Sequence, residues 1–389
     1  MKPKPILYSL IINCLFFLGC REPYDPEINT EDIGILVVEG HIETNGIPTK
    51  VNLSTTGSLN DYLSPFLAVS HAQVSIESQS GDTYPLPHIE AGTYSATYSL
   101  SNDDQYRLNI EVPGQGVYQS EWLTPLISPA IEDVGIKRKG EDRSDAEVYI
   151  STHGNEEVRF FTWEYEETWI FNPELITYLK FDQALDSVVY RDLSTERIDR
   201  CWRTELSNTI NVASSAEFQD EYIYEKVIQT VPFGSEKFTQ QYSIIVHQRA
   251  ITQEAFTFYE TLDKNTNDMG DIFSPLPSNL NTNIHYQGTG NQKAIGMVTA
   301  GASTSKRIFL DRLDIGYWVV SNPFYAGCAL TNDTISVAEA PARFSSAGLV
   351  PVQVVENPLG GILGYRAGSR RCTDCTLRGT NLQPDYWEK

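Results

Sequence analysis

Short runs of alternating hydrophobic and polar residues, separated by turn residues, make up most of this chain. Residues 35–42 are a largely apolar run, and Asn45-Gly46 directly after it is a β-hairpin signal. In residues 105–112 the apolar side chains occupy every second position, which is the period of a half-buried strand. About seven such strands within residues 34–125 predict an immunoglobulin-like or transthyretin-like sandwich.

A second, larger β-rich domain is predicted over residues 130–389, with one or two short helices. The best helix follows Thr252, a residue suited to capping a helix N-terminus. Four apolar residues then fall on one helical stripe, namely Ala255, Phe258, Tyr259 and Leu262. The predicted fold class is therefore mainly β.

The first twenty residues have the pattern of a secretory signal. Lys2 and Lys4 precede an apolar run over residues 6–17, and this run is too short for a transmembrane helix of about twenty residues. Leu18-Gly19-Cys20 then closes the run, which predicts a signal peptide over residues 1–19 and a lipid anchor on Cys20. The alternative is an ordinary signal peptide with a cysteine near its cleavage site.

Residues 20–33 are acidic and interrupted by proline, so we expect a lipidated tether without regular structure. Acidic residues behind a lipidated cysteine resemble the surface-export tag of Bacteroidota lipoproteins. A plain flexible tether explains the same composition equally well.

The net charge of the chain restricts the kinds of molecule that it can bind. The chain has 29 Lys and Arg against 51 Asp and Glu, a formal net charge of −22. Such a chain repels phosphate backbones, so we expect no nucleic-acid partner. A hydrophobic fraction of 41% is too high for a disordered chain.

Four cysteines remain once the signal peptide and the lipidated Cys20 are set aside: Cys201, Cys328, Cys372 and Cys375. An even number in an oxidising compartment predicts up to two disulfides, with three possible pairings. The C-x-x-C formed by the last two cysteines lies in a loop context, whereas a redox motif opens a helix. A zinc site is the remaining alternative, although the cysteines do not form two C-x-x-C pairs.

Aromatic residues are concentrated in residues 158–171. Trp163, Tyr165 and Trp169 are weak candidates for a surface that stacks sugars or binds a peptide. A core strand of a sandwich explains the same pattern better.

Catalytic and metal-binding motifs are not evident in the sequence. The six His residues are scattered, and neither H-E-x-x-H nor G-x-S-x-G occurs. The Asn/Asp-rich segment at residues 263–271 has neither the turn glycine nor the bidentate glutamate of a calcium loop. We therefore expect no metal, no cofactor and no enzymatic activity.

Several segments occur in an order that resembles a known family. They are the Cys201-Trp202 strand, residues 242–248 followed by 252–256, residues 273–277, and the C-terminal stretch from Cys372 to residues 384–387. Together with the predicted lipoprotein start, the chain resembles the Bacteroidota lipoproteins catalogued as domain of unknown function 4249 (DUF4249). The resemblance implies an outer-membrane lipoprotein, often encoded beside a TonB-dependent transporter. It implies no known reaction, so it supplies no catalytic residues.

The favoured hypothesis is an outer-membrane lipoprotein, facing the periplasm or the cell surface, that is a non-catalytic accessory or ligand-capture partner of a TonB-dependent transporter. The ligand is unknown. A surface adhesion or structural lipoprotein is the alternative, because sandwich domains on a tether suit both roles. A hydrolase is the least favoured reading.

Overall fold

The computed structural model describes residues 34–57, 66–141, 143–267, 280–346 and 348–387. The predicted signal peptide, the tether and Cys20 lie outside these residues. The protein is mainly β, as the sequence predicts. The described part contains four α-helices, where one or two were predicted, and three of them are only four or five residues long. Helices of about one turn are too short to produce a periodic pattern in the sequence.

The secondary-structure elements in chain order are as follows. The first ten strands are β1 (Leu36–Glu43), β2 (Asn45–Thr56), β3 (Phe66–Ala68), β4 (Gln73–Ser78), β5 (Thr83–Leu86), β6 (His88–Glu90), β7 (Thr93–Ser99), β8 (Tyr106–Val112), β9 (Gly116–Ser120) and β10 (Leu126–Ile127). The next nine strands are β11 (Asp133–Arg138), β12 (Ala146–His153), β13 (Phe160–Phe171), β14 (Leu179–Asp182), β15 (Ser187–Tyr190), β16 (Cys201–Leu206), β17 (Asn211–Ser214), β18 (Tyr222–Val231) and β19 (Gln241–Ile251). The last six strands are β20 (Ile284–Tyr286), β21 (Ala294–Ala302), β22 (Thr304–Asp311), β23 (Ile335–Ser336), β24 (Leu349–Glu356) and β25 (Ile362–Ser369). The helices are α1 (Gln253–Asn267), α2 (Arg312–Ile315), α3 (Ala340–Phe344) and α4 (Arg370–Thr373), with 3₁₀ turns at Gln219–Glu221, Glu236–Phe238, Pro323–Tyr325 and Cys375–Leu377.

The first sandwich consists of two sheets that share one hydrophobic core. One sheet has the order β10-β21-β1-β2-β7-β6, with β3 beside β2, and the other has the order β20-β9-β8-β4-β5. Alternation places one face of each strand in the core: in β8, Tyr106, Leu108, Ile110 and Val112 are all buried. The antiparallel pairing of β1 with β2 reverses at Asn45-Gly46, the predicted hairpin turn.

Two strands of this sandwich come from far along the chain. β20 pairs with β9, and β21 runs parallel to β1 from Leu36 opposite Ala294 to Glu43 opposite Gly301. Gly301 lies so close to β10 that a Cβ there would be 2.0 Å from the carbonyl oxygen of Leu126. These strands lie within residues 130–389, the range of the predicted C-terminal domain. Their hydrogen-bonded partners, however, are strands of the first sandwich.

The second sandwich packs the sheet β11-β12-β18 against the sheet β16-β13-β19-β22, in which β17 also pairs with β13. β21 continues almost directly into β22, so a single stretch of chain contributes a strand to both sandwiches. Between them, the buried Gln248 side chain accepts a hydrogen bond from Trp163 Nε1 at 2.9 Å and donates one to the carbonyl oxygen of Pro129 at 2.9 Å.

Helix α1 packs at the same junction. The backbone N–H of Ala255 donates to Thr252 Oγ1 at 3.2 Å, so the predicted cap is present. Ala255 and Phe258 are buried in a small cluster with Ile251 and Met297, which joins residues of β19 and β21. Within the described residues, the helices lack the length and apolarity that crossing a bilayer requires.

A third, smaller unit lies beside the second sandwich. The β14-β15 hairpin, inserted between β13 and β16, packs on the sheet β23-β25-β24 and on α3. Its core is formed by six buried residues: Leu179, Ile335, Ala340, Phe344, Tyr365 and Ala367. We call this unit the C-terminal module.

Candidate ligand-binding pocket

A cavity of about 430 Å³ opens in the C-terminal module, where the β14-β15 hairpin meets β24 and the segment around α4. Six charged side chains line it. They are the cations Lys180, Arg191, Arg197 and Arg370 and the carboxylates Glu196 and Asp374. The lining is therefore net positive, in a chain whose formal net charge is −22.

A tight turn after β15 brings several of these groups together. The carboxylate of Asp192 accepts hydrogen bonds from the backbone N–H of Ser194 at 2.9 Å and from its hydroxyl at 2.6 Å. These bonds lower the pKa of the Asp192 carboxyl. The backbone N–H of Glu196 donates to the carbonyl oxygen of Asp192 at 2.7 Å. Asp favours such turns because its side chain bonds to the backbone two residues further on. The turn places Arg191 and Glu196 at the same cavity.

Two of the four cations are paired near this turn. Lys180 forms an ion pair with Glu196, and its hydrogen bond is the main reason that the pKa of the Glu196 carboxyl is lowered. The Nε of Arg197 lies 3.0 Å from Oδ1 of Asp199, a buried carboxylate. Both positive charges are thus matched by the protein itself.

Arg370, the third cation, is paired on the opposite wall. Its Nε lies 2.9 Å from Oδ2 of Asp374, one helical turn further along. Oδ1 of Asp374 accepts hydrogen bonds from the backbone N–H and the hydroxyl of Thr376. The carboxylate is therefore already paired with a cation and bonded to its own neighbours.

Two disulfides hold this wall in place. Cys201 pairs with Cys375 across 174 residues of sequence, and Cys328 pairs with Cys372 across 44. The prediction of disulfides is confirmed, and the structure selects one of the three pairings. Arg370, Asp374 and Thr376 lie next to Cys372 and Cys375, so both bridges fix the backbone that carries them.

The remaining cation, Arg191, has no such partner. Its Nε donates to the carbonyl oxygen of Leu179 at 3.0 Å. Among the described residues, no carboxylate oxygen lies within 4.0 Å of its guanidinium. The side chain is half-buried, and burial lowers the pKa of its guanidinium, partly offset by the charges of Asp374 and Glu196. Among the described residues, its Nη1 and Nη2 donate no hydrogen bond, and the side chain lines the cavity.

Apolar side chains complete the lining. Phe181, Ile198, Phe344, Leu349 and Pro351 border the same cavity. Ile198 and Phe344 are themselves almost fully buried, so this part of the wall is fixed by the core of the module. The cavity volume falls within the range of about 300–1,000 Å³ that is usual for small-molecule sites, and its wall is more polar than most of them, with apolar residues at six of the fourteen lining positions.

A second cavity, of about 590 Å³, lies near Trp202 and Phe324 and is lined by two arginines. Both are already neutralised by the protein. Arg378 makes a two-pronged pair with Glu236, at 2.8 Å and 2.6 Å, and Arg203 pairs with a glutamate at 2.8 Å. The second cavity therefore has no arginine without a carboxylate partner, whereas the first cavity has one.

The three aromatic candidates lie in the core of the second sandwich. Trp163 is 1% exposed, Tyr165 is 3% exposed and Trp169 is 2% exposed. Burial raises the pKa of the Tyr165 hydroxyl to about 12. In this position they present no ring face to solvent, which is the arrangement that the core-strand alternative predicts.

Cys20, the predicted lipid anchor, lies outside the described residues, as do residues 268–271 of the Asn/Asp-rich segment at 263–271. Within the described ranges, no group of three His, Cys, Asp or Glu side chains is arranged to hold a metal ion.

Sequence reasoning missed Arg191 and the rest of the pocket. The lining comes from three segments, around residues 180–198, 344–351 and 370–381. Each segment alone reads as an ordinary polar surface strand or loop, so no local pattern marks them as one site. The Cys372 and Cys375 pair was the available signal, because it predicted that the third segment is covalently fixed.

A family model described as "Domain of unknown function (DUF4249)" matches residues 21–307. That match covers β1 to β21, including the β14-β15 hairpin, and ends within β22, before β23–β25. No curated protein matches the chain.

Proposed function

We propose, because the chain belongs to the DUF4249 family, that this protein is an outer-membrane lipoprotein that captures a small ligand beside a TonB-dependent transporter and catalyses no reaction. The observation that carries the ligand-capture role is the cavity in the C-terminal module, in which a half-buried arginine lacks a carboxylate partner.

The membrane part of the proposal depends on Cys20. An apolar run that ends in Leu18-Gly19-Cys20 is suited to cleavage before the cysteine and acylation of its thiol. Several acyl chains at about 0.8 kcal/mol per buried CH₂ hold a protein on a membrane essentially permanently. The acidic, proline-containing residues 21–33 then serve as a spacer between lipid and fold.

The anchor is tested by palmitate labelling in the native host. We expect Cys20→Ala to abolish labelling and to release the protein from the membrane fraction. Cys14→Ala is the matched control, because Cys14 lies within the predicted signal peptide and leaves with it. Undiminished labelling of the Cys20 variant would refute the anchor.

The partnership is tested by affinity purification of the tagged protein from membranes solubilised in mild detergent. We expect an outer-membrane transporter to co-purify, and a deletion strain to lose uptake of the transported compound. Cell attachment lost without any uptake defect would instead favour the adhesion hypothesis. Proteolysis of whole cells distinguishes the surface face from the periplasmic face.

A further inference from the structure

We infer that the cavity of the C-terminal module is a site for a small organic anion, in which Arg191 binds a carboxylate or phosphate group and the apolar wall holds the rest of the molecule. The inference rests on the proposed ligand-capture function and specifies its ligand class.

The first step is the state of Arg191. Its Nε is used by the carbonyl oxygen of Leu179, and this bond fixes the orientation of the guanidinium plane. Its Nη1 and Nη2 donate no hydrogen bond to any described residue, and the side chain lines the cavity. Two parallel N–H donors from one planar group match the two oxygens of a carboxylate or phosphate. Such bidentate, charge-assisted hydrogen bonds are stronger than hydrogen bonds between neutral groups.

The second step is the sign of the ligand. Four cations and two carboxylates line the cavity. Glu196 already accepts from Lys180 and from the backbone N–H of Asp192, and Asp374 accepts from Arg370 and Thr376. Both carboxylates are already paired with a cation, so a cationic ligand would compete with Lys180 or Arg370, whereas an anionic ligand would neutralise Arg191. Burial of a cation without a partner is costly, so the anion relieves an unfavourable interaction of the empty site.

The third step is the body of the ligand. Phe181, Ile198, Phe344 and Leu349 lie in the same cavity as Arg191. Each square ångström of apolar surface that they cover contributes roughly 25 cal/mol. The ligand that fits both walls has an anionic group at one end and a ring or short apolar chain at the other.

The test is a comparison of four probes of the same shape and different charge. The full-length protein, purified in mild detergent, is titrated by calorimetry with phenylacetate, phenyl phosphate, uncharged 2-phenylethanol and cationic 2-phenylethylamine. We expect the two anions to bind at least tenfold more tightly than the other two probes.

The matched variants distinguish the effect of the Arg191 side chain from the effect of removing any positive charge. We expect Arg191→Gln to weaken both anions at least tenfold, Arg191→Lys to weaken them less, and Arg312→Gln, at an exposed position of α2, to leave them unchanged. The melting temperature of each variant shows that it is folded. If Arg191→Gln does not fold, the comparison of Arg191→Lys with wild type carries the test.

Equal binding of the four probes, or unchanged anion binding in a folded Arg191 variant, would overturn the inference. Neither result bears on the anchor or the transporter, because palmitate labelling and co-purification are measured separately. Conversely, selective anion binding by a protein that keeps its label without Cys20 would support this site and refute the proposed anchor.

Discussion

The stability of the junction between the two sandwiches should depend on pH through His41. This β1 residue is 5% exposed. Its Nδ1 lies 2.7 Å from Thr299 Oγ1 and its Nε2 lies 3.3 Å from the carbonyl oxygen of Gly301. Because a carbonyl only accepts, Nε2 carries the proton and Nδ1 accepts from the hydroxyl. The neutral ring is thus fully bonded.

Burial is the main reason that the pKa of His41 is held well below its usual 6.5, and the positive charge of Arg249 adds to the effect. Glu43, whose Oε2 lies 3.9 Å from Nε2, is the opposing charge on the same strand. Desolvation by burial is the main reason that the pKa of the Glu43 carboxyl is raised, and hydrogen bonds from Ser303 and the charge of Arg249 partly offset this effect.

The sign and size of the effect follow from proton binding. Below pH 6.5 the unfolded chain binds a proton at His41 and the folded protein does not, so the free energy of unfolding falls as pH falls. Each pH unit in that range costs about 1.4 kcal/mol until the folded-state pKa is reached. Between pH 7.5 and pH 5.5 the loss from this residue is therefore about 1.4 kcal/mol.

The assay is urea unfolding followed by tryptophan fluorescence, with disulfides intact, at half-unit intervals from pH 7.5 to 5.5. Over this range the free energy of unfolding of His41→Gln should fall by about 1.4 kcal/mol less than that of the wild type. His88→Gln, at an exposed position of β6, should follow the wild type. Parallel curves for wild type and His41→Gln would show that the folded protein also takes up the proton, which would refute the reasoning.

Three substitutions should lower the free energy of unfolding, each measured by urea unfolding. Lys237→Met should cost about 3 kcal/mol, because it leaves the carboxylate of Glu167, 1% exposed and 2.8 Å from the lysine Nζ, without its counter-charge. Gln248→Leu should cost about 1–3 kcal/mol, because it leaves the buried indole N–H of Trp163 without its acceptor, whereas the carbonyl of Pro129 still accepts from Thr304 Oγ1. Gly301→Ala should cost about 1–3 kcal/mol, because its methyl group would overlap a carbonyl of β10, whereas Gly348→Ala, with open space around it, should cost much less.

The elements with strong local signals were predictable from the sequence. The alternation in β8, the Asn45-Gly46 turn and the Thr252 cap each depend on neighbours a few residues apart, and the structure contains all three. Such features follow from backbone geometry and side-chain period alone. The mainly β fold class was predictable for the same reason.

The long-range pairings were not predictable in this way. β1 and β21 are parallel neighbours although more than two hundred residues separate Leu36 from Ala294. Parallel central strands are buried on both faces, so their pattern resembles any other apolar run and does not identify a partner. The role of Arg191 in the pocket was not predictable either, because only the fold shows that none of its neighbours provides a carboxylate partner.

The disulfides connect the architecture to the proposed site. The pocket wall gathers segments around residues 180–198, 344–351 and 370–381, and ordering such distant segments carries an entropic cost that grows with the length of the loops between them. Cys201–Cys375 and Cys328–Cys372 close those loops covalently in the unfolded chain as well, so part of that cost is removed before folding. The wall that carries Arg370 is fixed in this way, and a wall that is fixed before a ligand binds lowers the cost of reorganisation on binding. Disulfides form and persist in oxidising compartments, so a pocket braced by them is compatible with the proposed anchor on Cys20.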